Sequence, residues 1–272
     1  MKWGISMKYS KILKQILAIS IIGALTITVT GCGTNKEKDT STLDKDVLVV
    51  GFDDTFVPMG FKDDNGEYTG FDIELAKSVA EKMDKELEFQ PIDWTMKESE
   101  LNNKNIDMIW NGYSVTDERK EKVDFSSSYL KSKQIIITLN DSDIESKEDL
   151  KGKVVAAQDQ SSAIDAIGNY KDNFKSLVTF GTNDEALRDL EAKRCDAVVA
   201  DEVLSRYYIN IKGAEKYKII NDDFGEEEYA VGVRKGDSEL LNKLNDSYKE
   251  VVEDGTASKI SKKWFGEDIT LK

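Results

Sequence analysis

Hydrophobic residues in this chain alternate between two patterns. Short runs rich in Val and Ile occupy 47–50, 106–109, 135–137, 154–156, 197–200 and 229–233. Apolar runs of this length, bounded by polar residues, read as strands buried on both faces. Between them, Ile73, Ala76, Val79, Ala80 and Met83 recur at the helical period after Gly70-Phe71-Asp72, and a second helix is predicted over 183–192, ahead of Lys193-Arg194-Cys195. These stripes are core-facing and carry no site. Strands alternating with helices predict an α/β fold with largely parallel sheets. Asp63-Asp64-Asn65-Gly66 predicts a tight turn, because the remaining ligand positions of a calcium loop do not follow.

The amino terminus departs from this rhythm. Lys2, Lys8, Lys11 and Lys14 precede an apolar run over 16–29, and the first 31 residues hold no acid. That is the layout of an export signal. Val29-Thr30-Gly31-Cys32 then resembles the lipobox at which bacterial lipoproteins are cleaved and acylated, which makes Cys32 the lipidated amino terminus of the mature chain. The rival reading is an uncleaved anchor, but a spanning helix needs about 20 apolar residues, and the short run with a cysteine at its edge favours cleavage. Residues 33–42 contain no large apolar side chain, so 32–43 is expected to be a flexible tether. Folding then begins near Leu43.

Charge and composition narrow the function. Without the four leader lysines, 34 basic residues face 52 acidic ones, a formal charge of −18. Such a chain is a poor partner for nucleic acid or for an anionic lipid surface. There is no histidine, which removes the commonest general base and zinc ligand. With Cys32 lipidated, Cys195 has no partner in the chain and reads as a small buried apolar residue. No P-loop, no dinucleotide fingerprint and no metal or cofactor motif occurs.

Four segments place polar or aromatic residues just after predicted strands, where ligands gather in open α/β sheets. Phe56 follows the first strand within 51–61, as an exposed ring able to lie on a ligand side chain. Trp94 follows Gln90-Pro91-Ile92-Asp93; as a large ring it could equally cap its own core. Asn111-Gly112-Tyr113-Ser114 leads to a short helix capped by Thr116 or Asp117, with Arg119 one turn inside. A planar guanidinium grips a carboxylate through two parallel hydrogen bonds, although Arg119 in an Asp-Glu-Arg-Lys run could also be a solvated surface charge. Finally, 157–162 offers backbone N–H groups near Ser162 for a carboxylate, and Asp201 suits an ammonium.

Taken together, Gly70-Phe71-Asp72-Ile73-Glu74-Leu75-Ala76, Thr116-Asp117-Glu118-Arg119, Asp149-Leu150-Lys151-Gly152-Lys153, Cys195-Asp196-Ala197, Val233-Arg234-Lys235-Gly236-Asp237 and Lys263-Trp264-Phe265-Gly266 resemble the polar amino-acid-binding family of ABC importer solute-binding proteins over about 47–265. The resemblance implies a two-lobed periplasmic-binding-protein-like type II fold, with ligand in the interlobe cleft and two hinge strands. It places the signal peptide at 1–31, the first lobe at 44–132 plus 229–272, and the second at 133–228. By the same resemblance, Arg119, Ser114 and Ser162 hold a ligand α-carboxylate. Asp201 and the Gly112 carbonyl hold its α-ammonium, Phe56 and Trp94 flank the side chain, and Asp53 meets the side chain's polar end. Gln158 and Gln160 depart from residues common in relatives, Lys and Gly respectively, so the specificity of a relative does not transfer.

The implied function is capture of a free polar amino acid, such as glutamine, cystine or arginine, and delivery to an ABC permease. The protein would be a monomer, lipid-anchored on the extracytoplasmic face of the cell membrane, with no cofactor. Two rivals share the fold: a small-carboxylate dehydratase, which would need Asp53 or Asp93 as its acid or base, and a ligand sensor, which would need a signalling region that this sequence does not show.

Overall fold

The structure is a computed structural model that describes residues 41–213 and 215–272. The leader, the lipobox with Cys32 and nearly all of the tether fall outside the described residues.

Two five-stranded sheets organise the chain. In the first, Glu86–Pro91, Val47–Phe52, Met108–Ile109, Gly232–Arg234 and Val123–Phe125 lie side by side in that order. Val47–Phe52 pairs in parallel with both its neighbours, while Gly232–Arg234 runs antiparallel to both of its own. The second sheet has the order Ser176–Phe180, Val154–Gln158, Ala197–Asp201, Leu130–Leu139, Tyr217–Tyr229. Its first three strands are parallel and its last two add antiparallel. Each sheet thus has three parallel strands from one edge and antiparallel pairing toward the other, as expected for α/β units joined by return strands. A small antiparallel sheet, Thr55–Phe56, Gly60–Lys62 and Tyr68–Thr69, covers the first lobe, and Asp63 closes its turn by accepting the Asn65 and Glu67 N–H groups.

The helical stripe forms the helix Phe71–Met83, which buries Ile73, Leu75, Ala76, Val79 and Ala80. It packs against the carboxyl-terminal helices Ser238–Glu253 and Thr256–Phe265. Asn183–Glu191 forms in the second lobe behind a capping box, in which Thr182 accepts the Glu185 N–H and Glu185 accepts the Thr182 N–H. Such reciprocal caps satisfy donors that a helix start leaves open. Cys195 is buried at 4% exposure, and burial pushes its thiol up to about 12.

One expected strand divides in two. The run over 229–233 ends one strand at Tyr229 and begins another at Gly232. Tyr217–Tyr229 belongs to the second sheet and Gly232–Arg234 to the first, so the apolar run is the crossing between lobes. The other passage is 125–130, between Val123–Phe125 and Leu130–Leu139. Among the described residues, no helix is long and apolar enough to cross a membrane.

Candidate functional site

The carboxyl ends of the central strands of both sheets face one cavity. Val47–Phe52 delivers Asp53 and Phe56, and Glu86–Pro91 leads through a single turn to Trp94. Met108–Ile109 runs into Asn111, Gly112 and Ser114. From the second sheet, Val154–Gln158 brings Gln158, Ser161 and Ser162, and Ala197–Asp201 ends on Asp201. With Arg119, these residues line one small cavity. All eight residues read from the sequence, Asp53, Phe56, Trp94, Gly112, Ser114, Arg119, Ser162 and Asp201, are among them.

Local sequence explains the placements. Thr116 caps the helix Asp117–Lys122 by accepting the Arg119 N–H at 3.2 Å. Arg119 is therefore fixed one turn in, and its guanidinium folds back 4.7 Å from the Tyr113 ring centroid. Nη1 donates to the Ser114 carbonyl at 3.0 Å and Nη2 to the Gln160 carbonyl at 3.2 Å. Arg119 is 4% exposed, so it is no solvated surface charge. Ser114 is held in place by a bridge to Tyr229, and its hydroxyl donates to Ser162 Oγ at 2.9 Å, lobe to lobe.

Gly112 sits at φ +55, and a Cβ there would stand 2.6 Å from Phe56 Cε1. Only glycine allows Phe56 to lie against that backbone. Phe56 is 6% exposed; the expectation of an exposed ring is corrected, because the closed lobes cover it. Trp94, 7% exposed, packs edge-on to Tyr113 with ring centroids 5.9 Å apart. It therefore serves its own lobe's core and the cavity wall at once.

Electrostatics set this cavity apart. Asp201 Oδ1 accepts from Gln134 Nε2 at 3.0 Å and from the Tyr229 hydroxyl at 2.6 Å. Asp53 Oδ1 accepts the Thr55 N–H and hydroxyl, and its Oδ2 accepts Gln158 Nε2 at 2.8 Å across the cleft. Burial raises the Asp53 carboxyl above its ordinary range, and the Thr55 and Gln158 donors only partly oppose this. Among the described residues, neither carboxylate meets a cation, and the Arg119 guanidinium meets no carboxylate. Three charges, 4% to 8% exposed, thus have no opposite charge against them. Asp201 also stands against a second carboxyl, Glu227, which shares the Gln134 amide at 2.7 Å, touches Ser114 and Ser162, and is raised well above its ordinary range by burial and then by Asp201. Isolated buried charges cost several kcal/mol each, so the site is built for charges supplied from outside. Asn111 Nδ2 and Gln134 Oε1 are buried without a hydrogen-bond partner as well.

Asn111 and Ser161 line the cavity and were not singled out from the sequence as ligand contacts, although both lie in the quoted segments; of Gln158 and Gln160, both read as lining the second lobe's contact with the ligand, only Gln158 lines it. Asn111 accepts the Asp53 N–H at 3.0 Å, and Gln158 Oε1 accepts from Asn183 at 2.8 Å. That second contact turns the Gln158 amide so that its nitrogen faces Asp53. Asp93 is exposed and caps Thr95, and it does not line the cavity.

The geometry agrees with comparisons against known proteins. The family model described as bacterial extracellular solute-binding proteins, family 3, matches residues 48–267. The chain belongs to this family. Among curated family members, an L-cystine-binding protein of Escherichia coli is 31% identical, over 87% of this chain and 87% of its own length. A substrate-binding protein of an ABC uptake transporter from Streptococcus pneumoniae, solved with bound histidine, is 41% identical at a TM-score of 0.82, over 85% of this chain and 96% of that one. An ancestral amino-acid-binding protein, a precursor of cyclohexadienyl dehydratase, is 36% identical at a TM-score of 0.77, over 83% of this chain and all of that one.

Proposed function

We propose that this solute-binding protein captures a free polar L-amino acid by closing its two lobes, 44–132 plus 229–272 against 133–228, and presents the closed form to an ABC permease. One observation carries the reading: a buried guanidinium and a buried carboxylate, each without an opposite charge, line a single cavity between the lobes. A zwitterion supplies both missing charges. Arg119, with Ser114 and Ser162, receives the α-carboxylate; Asp201 and the Gly112 carbonyl receive the α-ammonium. Because these partners come from both lobes, ligand adds its full binding energy only to the closed state and shifts the hinge equilibrium toward it.

Phe56 and Trp94 flank the side chain and Asp53 meets its tip. Glutamine, cystine and arginine fit this outline, and relatives named for cystine and histidine support it. The unmatched Asp53 carboxylate favours a ligand whose side chain carries positive charge. In this reading the protein is a monomeric lipoprotein, acylated at Cys32 and held at the extracytoplasmic face of the membrane, and it performs no catalysis. A dehydratase would need a spare acid or base, yet Asp53 is already engaged by three donors.

A thermal-shift screen of the purified chain against the twenty amino acids and cystine tests the proposal, since a ligand of the folded state raises the melting temperature. A large shift with one or two polar amino acids is expected. No shift with any would move the reading to another small carboxylate.

A further inference from the structure

A second cation stands at the cleft, outside the cavity wall. Lys97 opens the short helix Lys97–Asn102 and is 2% exposed. Its ammonium donates at 3.2 Å to the Trp94 carbonyl on its own side and at 3.2 Å to the Gln160 carbonyl on the other. It lies 5.1 Å from the Trp94 ring centroid, with Glu98 Oε2 at 3.5 Å. The Gln160 carbonyl is the acceptor that Arg119 Nη2 also uses, at 3.2 Å. Two buried cations of the first lobe therefore grip one peptide oxygen of the second. Gln160 has φ +52, a region that costs a residue with a side chain and persists where surroundings hold it.

The geometry points to Lys97 as a cross-cleft positioning residue, which strengthens binding of every ligand alike by holding the Gln160 backbone over Arg119 in the closed state; this rests on the cleft-binding reading above. Lys97 does not line the cavity, so it cannot read a ligand side chain. Its contact with the Trp94 carbonyl stays within one lobe and survives opening, whereas its contact with the Gln160 carbonyl does not. The hold is also coupled to the ligand. Burial first, and then the Arg119 guanidinium, push the Lys97 ammonium down to about 8. Closing the empty cleft therefore strips water from two neighbouring cations of one lobe, and a ligand carboxylate at Arg119 offsets that cost.

The test uses Lys97→Met, which keeps an apolar stem against Trp94 and removes the charge. L-Arginine, L-histidine and L-glutamine are titrated by calorimetry into the purified chain and the variant, with dissociation followed by stopped flow. Each amino acid that wild type binds is expected to bind the variant about 10- to 100-fold more weakly, the size of one lost hydrogen bond to a charged group. The loss is expected in faster dissociation, with the ratios between ligands unchanged. Lys97→Arg, which keeps a cation and its donors, is expected to recover most of the affinity, a rescue that packing alone would not produce. Unchanged affinities, or altered ratios between ligands, would overturn the assignment. A scattering arm needs no ligand: the ligand-free variant is expected to show a larger radius of gyration than wild type, and equal radii also overturn it. If wild type binds none of the three, the amino acid with the largest thermal shift takes their place; if none shifts, the amino-acid reading fails and the scattering result alone decides Lys97.

Discussion

Asp72 offers a test that reaches the ligand loop from behind. It begins the helix Phe71–Met83 and is 1% exposed. Its Oδ2 accepts the Gly112 N–H at 2.7 Å and the Tyr129 hydroxyl at 3.0 Å, while Oδ1 has no partner. Burial lifts the carboxyl from 3.8 to about 7, with those two donors only partly opposing it. A rise of that size corresponds to about 4 kcal/mol. Because the folded value lies above the unfolded one, this stability is fully present below pH 3.8 and is lost as pH rises through about 7. Between pH 5 and 8 the group should thus remove roughly 3 kcal/mol of stability. Asp72→Asn keeps an acceptor for Gly112 and Tyr129 and cannot ionise. Urea unfolding of both ligand-free proteins at pH 5, 6.5 and 8 should show the variant gaining on wild type by about that amount. Parallel pH dependences would refute the reasoning.

Arg119→Ala should weaken amino-acid binding by about 2–5 kcal/mol, the range for removing one member of a buried charge pair; unaltered affinity in calorimetry would remove Arg119 from the site. Asp53→Asn should weaken L-arginine at least tenfold and leave L-citrulline, its uncharged analogue, little changed, since only the former brings the cation that Asp53 lacks. Equal effects on both would place the side chain elsewhere. Gly112→Ala should cost roughly 1–3 kcal/mol of stability, because its Cβ would press on Phe56 Cε1 at 2.6 Å and Tyr229 Cε2 at 3.2 Å. An unaltered melting temperature would mean that Phe56 moves aside freely.

Much of this was legible in the sequence, for identifiable reasons. The runs at 154–156 and 197–200 are buried almost throughout, so their hydrophobicity is continuous and each reads as a strand, and 47–50 reads the same way although Val47 is exposed. The residues after them inherit a position from the topology of open α/β sheets, which is why Ser162 and Asp201 could be named before any geometry, whereas Asp53 was named through the family resemblance. What stayed hidden depends on contacts distant in sequence. Nothing in Met96-Lys97-Glu98 marks Lys97 as buried; that follows from Gln160, 63 residues away, reaching over it. The division of 229–233 between two sheets was equally unreadable, because an apolar run has the same pattern whether it continues one sheet or passes to another. Phe56 was read as exposed because it follows a strand end in a loop, and its cover comes from the Gly112 backbone and from the second-lobe helix Asn183–Glu191, neither of which is near it in sequence.

Closure on ligand is best measured by small-angle scattering of the purified chain with and without the amino acid that gives the largest thermal shift. The radius of gyration should fall on addition of that ligand, and Arg119→Ala should abolish the fall at the same concentration. Binding that leaves the radius unchanged would contradict capture by cleft closure.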